Sequence, residues 1–426
     1  MREFFENTSF PVLFLTGTMV LLAIAFSLLS RKIRLPGVVA YMVTGILLGP
    51  SVLNFLNNDI LSDMEFIIHM VLGFVAFKIG LEINIKELKT HGKGIIVTVL
   101  SESFLAVILV SFFIYMLTGN LALALVLGAL APASAPAGTI AVIDELKAKG
   151  PLTKTLYSVV GIDDALALII FGLVSPVAMF LLSHTGNGIE VNEAFMSSFI
   201  DPFLEIGLSL LIGGALAALF IWLTRFKGFH DQLMPFTFGM VVLITGISKM
   251  IDLSEILTCM LFGLIAGNHK DSQQLKEIEE EDIGFILPLF YILFFTIAGA
   301  NLHLSSVPEL GWIGLLYIIG RTLGLCGGAY AGASLTGLEN KIRKYLGLGI
   351  LSQAGVAIGL ALIIKNNFQG IGPELESGIT MGDHIGNIVF TTITATSVFF
   401  ELLGPITTRL ALRKANEATA EQDPVR

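Results

Sequence analysis

Long apolar runs separated by short polar breaks follow one another along almost the entire chain. Each run is longer than the alternating segments of about 10 residues that build a membrane β-barrel. A helix needs about 20 predominantly apolar residues to cross a bilayer, so the pattern predicts an all-α polytopic membrane protein with thirteen transmembrane helices. The predicted helices cover residues 10–30, 36–56, 64–81, 95–117, 121–143, 155–183, 200–224, 233–250, 254–268, 283–301, 309–335, 345–366 and 384–411.

The composition agrees with lipid as the main solvent of the chain. Hydrophobic residues make up 54% of it and charged residues 14%, with a mean hydropathy of +0.83, against about 45–50% and about 25% in soluble domains. Residues 1–9 lack a basic segment, so we expect the first run to be a retained helix rather than a cleaved signal. No GxGxxG motif follows a strand and no His/Cys cluster resembles a metal site, so neither a cofactor nor a nucleic-acid partner is expected.

The basic residues predict how the chain crosses the membrane. Of the 25 Lys and Arg residues, 20 lie in the C-terminal tail or in loops that the thirteen-helix assignment places on the same side as that tail. Cytoplasmic loops carry an excess of Lys and Arg. We therefore expect a multi-pass protein of the cell membrane, with its N-terminus outside and its C-terminus in the cytoplasm.

Two of the thirteen runs are interrupted by residues that break helices. In the fifth run, Pro132 and Pro136 remove two backbone donors four residues apart, and Gly138 follows. In the twelfth run, Gln353 and Gly355 fall at mid-span. Non-helical backbone at membrane depth is tolerated only where it is buried in protein or lines a water-filled cavity.

The spacing of the two interrupted runs indicates an internal repeat. They are seven helices apart, and an odd offset gives two repeats of opposite orientation, with the seventh helix as a linker. Discontinuous helices in corresponding positions of two inverted repeats point to a transporter site; the alternative is a pair of kinked packing helices, since Gly and Pro are common in membrane spans. The expected organisation is a transmembrane domain at 1–414, made of repeat one at 1–183, a linker helix at 200–224 and repeat two at 233–411, with a cytoplasmic tail at 415–426.

Two adjacent acids, Asp163 and Asp164, lie inside the sixth run. An ionisable residue at the centre of a span costs at least ~2.5–3.5 kcal/mol and is a functional hypothesis by default. Adjacent helical side chains differ in direction by ~100°, so one can face a cavity while the other faces the bundle interior. The alternative, two carboxylates at a misplaced helix end, conflicts with the apolar residues that follow them.

A basic residue, Arg321, lies near the middle of the eleventh run. A guanidinium group stays protonated in proteins and needs a partner in a membrane. Asp163 is the natural candidate for an ion pair with it. The alternative is an Arg321 side chain that extends to the membrane interface.

Five further polar residues are weaker candidates. Lys78 and Glu82 are four residues apart and predict a local pair near the headgroups, and His69 predicts a packed histidine. Glu102 could either support the site or face a subunit interface, and Glu401 leaves a similar choice open.

These elements together resemble the monovalent cation/proton antiporters of the sodium/proton exchanger superfamily. The resemblance covers nearly the whole chain and is carried by Leu35-Pro36-Gly37, by Gly45-Ile46-Leu47-Leu48-Gly49-Pro50, by Gly80-Leu81-Glu82 and by Gly161-Ile162-Asp163-Asp164. It implies the sodium/proton antiporter fold, in which the two discontinuous helices cross. It also implies a homodimer whose protomers each have a dimerisation domain and a six-helix core domain.

The resemblance also implies roles for site residues. Asp164 would bind the cation and the proton alternately and so would be the metal ligand, while Asp163 pairs with Arg321. Ser134 and Thr139 would line the crossing of the broken helices. The chain departs from the family pattern by combining two aspartates with Arg321, where a lysine is usual, and by having Gln353 where some members carry an acid.

The expected function is exchange of a monovalent cation for H+, with Na+ favoured and K+ or Li+ as alternatives. Because an arginine cannot release a proton, the exchange is expected to be one-for-one and electroneutral. A K+/H+ antiporter, a cation channel or an organic-anion carrier on the same scaffold are the alternatives. An intramembrane aspartyl protease needs its two aspartates on different helices, so we expect no enzyme.

Overall fold

The computed structural model describes residues 12–32, 35–83, 85–183, 192–226, 232–269, 284–302, 311–375 and 378–418. Within these ranges the chain forms sixteen α-helices and no β-strand. In chain order they are α1 Val12–Lys32, α2 Gly37–Leu48, α3 Asn58–Asp63, α4 Glu65–Glu82, α5 Ile85–Thr118, α6 Leu121–Leu130, α7 Pro136–Glu145, α8 Pro151–Ser183, α9 Asn192–Leu223, α10 Leu233–Met250, α11 Glu255–Gly267, α12 Gly284–Ala300, α13 Gly311–Leu335, α14 Asn340–Gly349, α15 Gly355–Asn367 and α16 Met381–Lys414.

The all-α fold with thirteen transmembrane segments is confirmed. Eleven of the predicted segments correspond to one helix each, while the fifth is divided into α6 and α7 and the twelfth into α14 and α15. Among the described residues, seven helices are long and apolar enough to cross a membrane by themselves, and shorter apolar helices include α2, α6, α11, α12 and α15. The chain is therefore a multi-pass membrane protein.

The breaks in the two divided segments have local causes. Pro136 is the first residue of α7, a position where its missing N–H costs nothing and its fixed φ suits the helix. Asn120 caps the start of the preceding helix α6, since its side chain accepts a hydrogen bond from the Leu123 N–H group at 3.0 Å. In the second broken segment, α15 begins at Gly355 after five non-helical residues, 350–354.

Apart from the short helix α3, the helices fall into two groups according to which neighbours they pack against. One group, called the scaffold group here, contains α1, α2, α4, α10, α11 and α12. The other, called the core group, contains α5, α6, α7, α8, α13, α14, α15 and α16, while the long helix α9 packs against α8 and α11 and so joins both groups. Helix α2 packs on α12, and α11 packs on α4. With an offset of seven segments, α2 corresponds to α11 and α4 to α12, so each of these contacts is the counterpart of the other.

A row of glycines on α13 allows α5 to approach it closely. Gly324 and Gly328 are one turn apart, and a Cβ atom on Gly324 would lie only 2.7 Å from the Ala106 N atom of α5. A Cβ atom on Gly328 would likewise collide with the backbone of Glu102. Small residues four apart let membrane helices pack backbone to backbone. This packing places Glu102 inside the core group, beside α13.

Candidate functional site

The two breaks in the core group touch each other. The N–H group of Ala135, next to α7, donates a hydrogen bond to the carbonyl oxygen of Ser352 at 2.9 Å. The Thr139 hydroxyl donates to the carbonyl oxygen of Gly349, the last residue of α14, at 2.7 Å. The non-helical segments 131–135 and 350–354 therefore meet at one point, as expected for crossed discontinuous helices.

Arg321 of α13 supplies the donors at this crossing and is completely buried. Its guanidinium group also lies 4.3 Å from the ring centroid of Phe400. The last carbonyl groups of a helix lack partners inside that helix and carry the negative end of its dipole. The single guanidinium group of Arg321 thus donates hydrogen bonds to carbonyl groups that follow both α6 and α14. Arg321 donates to the carbonyl oxygens of Ala131 (2.9 Å), Ala133 (3.1 Å), Leu351 (2.7 Å) and Ser352 (3.3 Å).

These contacts correct the expected ion pair between Arg321 and Asp163. Among the described residues, no ion pair joins Arg321 to a carboxylate, since its hydrogen bonds go to backbone carbonyl oxygens. The physical reason is that the two broken helices present more buried acceptors than a single carboxylate does. Asp163 still lies near enough to interact electrostatically with Arg321. The alternative of an Arg321 side chain reaching the membrane interface is excluded by its complete burial.

The two aspartates of α8 are buried in different surroundings. One carboxylate oxygen of Asp163 accepts a hydrogen bond from the Ser134 hydroxyl at 2.9 Å, beside the break between α6 and α7. Within the described part of the chain, neither carboxylate oxygen of Asp164 has a hydrogen-bond partner. Gly161, one turn earlier on α8, packs against Ile79 and Met260 of the scaffold group. Asp164 therefore lies on the side of α8 that faces the scaffold group.

Glu102 is a site neighbour that the sequence left undecided. Its side chain is completely buried, and its carboxyl group lies close enough to that of Asp163 to interact with it. Neither of its oxygens has a hydrogen-bond partner among the described residues. The four-residue glycine spacing of α13 indicates in the sequence that another helix packs closely there, but it does not identify the face of α5 that does so.

Gln353 supports the same crossing from the second break. Its side-chain amide donates to the carbonyl oxygen of Leu130, the last residue of α6, at 3.2 Å, and to the Tyr317 hydroxyl at 2.8 Å. Tyr317 was not among the residues expected from the sequence, and it lies one turn before Arg321 on the buried face of α13. The residues expected at the breaks lie in or beside the non-helical segments: Pro132, Pro136, Gly138, Gln353 and Gly355.

Two of the remaining sequence candidates, Lys78 and His69, form ion pairs with residues outside the crossing. Lys78 forms an ion pair with Asp144 at 2.6 Å, rather than the expected local pair with Glu82. His69 contacts Glu255 at 2.8 Å between α4 and α11. Glu401 has one buried carboxylate oxygen without a partner among the described residues.

Comparison with known proteins identifies the family to which a chain with this fold belongs. The family model described as "Sodium/hydrogen exchanger, transmembrane" matches residues 18–414. The chain belongs to the sodium/hydrogen exchanger family. It is therefore a cation/proton antiporter, a transporter rather than an enzyme.

Solved structures and characterised relatives of this exchanger add detail. An electron-microscopy structure of the sodium proton antiporter MjNhaP1 from Methanocaldococcus jannaschii shares its fold with a TM-score of 0.71, at 19% identity, over 96% of this chain and 99% of that one. The ammonium/H(+) antiporter subunit AmhT of Alkalihalophilus pseudofirmus is 23% identical over 84% of this chain and 88% of that protein. The K(+)/H(+) antiporter subunit KhtU of Bacillus subtilis is 23% identical over 83% and 88%.

Proposed function

We propose that this exchanger trades one monovalent cation for one proton at the carboxylate of Asp164, by alternating access. The single observation that carries the proposal is the difference between the two adjacent aspartates. Asp163 accepts a hydrogen bond from Ser134, whereas both oxygens of the buried Asp164 lack a partner among the described residues. Of the two aspartates, Asp164 is thus the one with both carboxylate oxygens available to a ligand.

Competition at one carboxylate couples the two fluxes. An ionised carboxylate buried in a membrane protein carries a large desolvation cost, and either a cation or a proton removes its net charge. Only one of the two can occupy Asp164 at a time. If the site changes its exposure from one side to the other only when it is occupied, each cation moved in one direction is balanced by a proton moved in the other.

Hard monovalent cations prefer oxygen ligands, and the crossing supplies them. The Ser134 and Thr139 hydroxyl groups use their hydrogens on Asp163 and on the Gly349 carbonyl group, so their oxygen lone pairs remain available as acceptors. We propose that these oxygens, with water, complete the shell of a cation held by Asp164. Na+ is the first candidate, supported by the fold shared with a sodium proton antiporter. K+ is the second, because a relative is a K(+)/H(+) antiporter subunit.

The test is cation-driven proton movement in proteoliposomes loaded with a pH-sensitive dye. Adding Na+, Li+ or K+ outside vesicles with an acidic interior is expected to drive protons out, with the largest response to Na+. A larger response to K+ would select the K+/H+ alternative. Proton movement that responds to none of the three cations would refute the proposal, because an anion carrier or a channel does not couple these gradients.

We propose that the exchange is one-for-one, because Arg321 cannot release a proton. The guanidinium group keeps its proton and holds backbone carbonyl groups at the crossing, so it does not contribute a second proton to the cycle. We expect the rate of Na+-driven proton movement to be the same at imposed membrane potentials of 0 and about −100 mV. Moving one net charge through 100 mV changes the driving force by about 2.3 kcal/mol, so a rate that follows the potential would contradict electroneutral exchange.

The assembly and orientation are part of the same proposal. We propose that the exchanger works as a homodimer in the cell membrane, with its N-terminus outside and its tail at 415–426 in the cytoplasm. Support comes from the 20 basic residues on one side of the thirteen segments and from the division of the helices into two packing groups. Repeat one at 1–183 and repeat two at 233–411, joined by 200–224, remain the proposed organisation.

A further inference from the structure

Two acids at the end of α7 stand where a helix disfavours negative charge. Asp144 and Glu145 are the last two residues of α7, next to its C-terminus. The helix dipole is negative at that end, so carboxylates there need partners from elsewhere. The groups that bind Asp144 and Glu145 therefore show which parts of the protein hold the C-terminal end of α7 in place.

Three of the partners come from helices of the scaffold group, while Arg409 of α16, in the core group, lies 3.7 Å from one oxygen of Glu145. The Lys78 ammonium group of α4 lies 2.6 Å from one oxygen of Asp144, and the Tyr291 hydroxyl of α12 donates to its other oxygen at 2.8 Å. The N–H group of Gly37, at the start of α2, donates to Glu145 at 2.8 Å. The end of one short helix of the core group is thus bound to α2, α4 and α12.

The same short helix also reaches the crossing. Helix α7 has only ten residues, and its first residue, Pro136, follows the non-helical segment that contacts Ser352. The contact between Lys78 and Asp144 is largely shielded, since the two side chains are 11% and 22% exposed. Charge-assisted hydrogen bonds of this kind are stronger than neutral ones and have well-defined geometry. Helix α7 therefore connects the proposed ion site to the scaffold group through a rigid, polar contact.

We propose that Asp144 and Glu145 form a latch between the core and scaffold groups, and that this latch opens once in every transport cycle. The inference rests on the proposed alternating-access function, in which the core group moves relative to the scaffold group. Contacts that join the two groups at one end of the bundle have to break when that end opens. The latch lies at the end that the basic residues predict to be cytoplasmic, so it holds that side closed.

The test links the two sides of the latch covalently. Lys78→Cys and Asp144→Cys are combined in a chain whose native cysteines carry Cys259→Ala and Cys326→Ala, and the pair is joined with a short, cleavable bifunctional thiol reagent. We expect linking to lower cation-driven proton movement in proteoliposomes at least tenfold and reduction of the link to restore it. Unchanged exchange in the linked protein would refute the latch.

A matched control links two residues inside one group. His69 and Glu255 contact each other between α4 and α11, both in the scaffold group. Linking His69→Cys to Glu255→Cys in the same background is expected to leave exchange unchanged. If this link blocks exchange as strongly as the first one, the effect of the first link does not report motion between the groups and the latch is refuted.

A charge swap tests the latch without a linker. Asp144→Lys alone places two lysines together and is expected to slow exchange at least fivefold, whereas adding Lys78→Asp restores most of the rate. A double variant as slow as Asp144→Lys would contradict the latch. Failure of the proposed function is a separate result, because it would appear as absent cation-driven proton movement in the unmodified protein.

Discussion

Asp164→Asn is expected to reduce cation-driven proton movement in proteoliposomes to the level of empty vesicles, at least a 100-fold loss. Asparagine keeps the size and shape of the side chain but neither ionises nor carries a proton. Without an ionised carboxylate, a cation entering the site meets no opposite charge to offset the water it loses. The measurement is the initial rate of the pH-dye signal after addition of Na+, at equal protein content per vesicle.

The adjacent residue provides the control for this prediction. Asp163→Asn makes the same chemical change one position earlier on α8, where the carboxylate accepts a hydrogen bond from Ser134. We expect this variant to retain measurable exchange, because the carboxylate of Asp164 is still present. Asp164→Asn protein that is folded and exchanges at the normal rate would contradict the assignment of the ion site. Loss confined to Asp163→Asn would move the site to that residue.

The positions of the helices along the chain depend mainly on the local sequence, so they could be predicted almost completely. Apolar runs of the length of a bilayer predict helices whatever they pack against. The breaks are also local, since Pro132 and Pro136 disrupt a helix wherever it lies. The offset of seven segments between the breaks then predicts two inverted repeats. For this reason the thirteen segments and the two broken helices could be predicted before any contact was known.

The partners of single charged side chains often lie far away in the sequence, so they were harder to predict. Lys78 has Glu82 four residues away, but its partner is Asp144 on another helix. Glu102 could be assigned only after the packing of α5 on the glycines of α13 was seen. Counting charges suggested Asp163 as the partner of Arg321, because backbone carbonyl groups carry no formal charge. The unpaired carbonyl groups of a broken helix compete for the same donors.

The role of Arg321 at the crossing has a large expected effect on stability. Arg321→Met removes the donors to the backbone carbonyl groups of both breaks while keeping a long apolar side chain. A buried acceptor left without its partner costs about 1–3 kcal/mol. Among the described residues, the carbonyl groups of Ala131, Ala133 and Leu351 then lose their donor, whereas that of Ser352 keeps the Ala135 N–H group. We therefore expect a loss of at least about 3 kcal/mol in the free energy of unfolding. The measurement is the thermal midpoint of the purified protein in detergent, with Arg321→Lys expected between Arg321→Met and the wild type.

A double variant separates this role from that of an ion pair. If the main function of Arg321 were to neutralise Asp163, Asp163→Asn would remove the unpaired charge left by Arg321→Met and recover most of the lost stability. We expect no such recovery, because asparagine at position 163 supplies no donors to the carbonyl groups of Ala131 and Leu351. Arg321→Lys keeps the positive charge but lacks the planar set of five N–H donors, so it satisfies only part of the crossing. Recovery of the wild-type midpoint in the double variant would show that the ion pair, rather than the two helix ends, is what Arg321 stabilises.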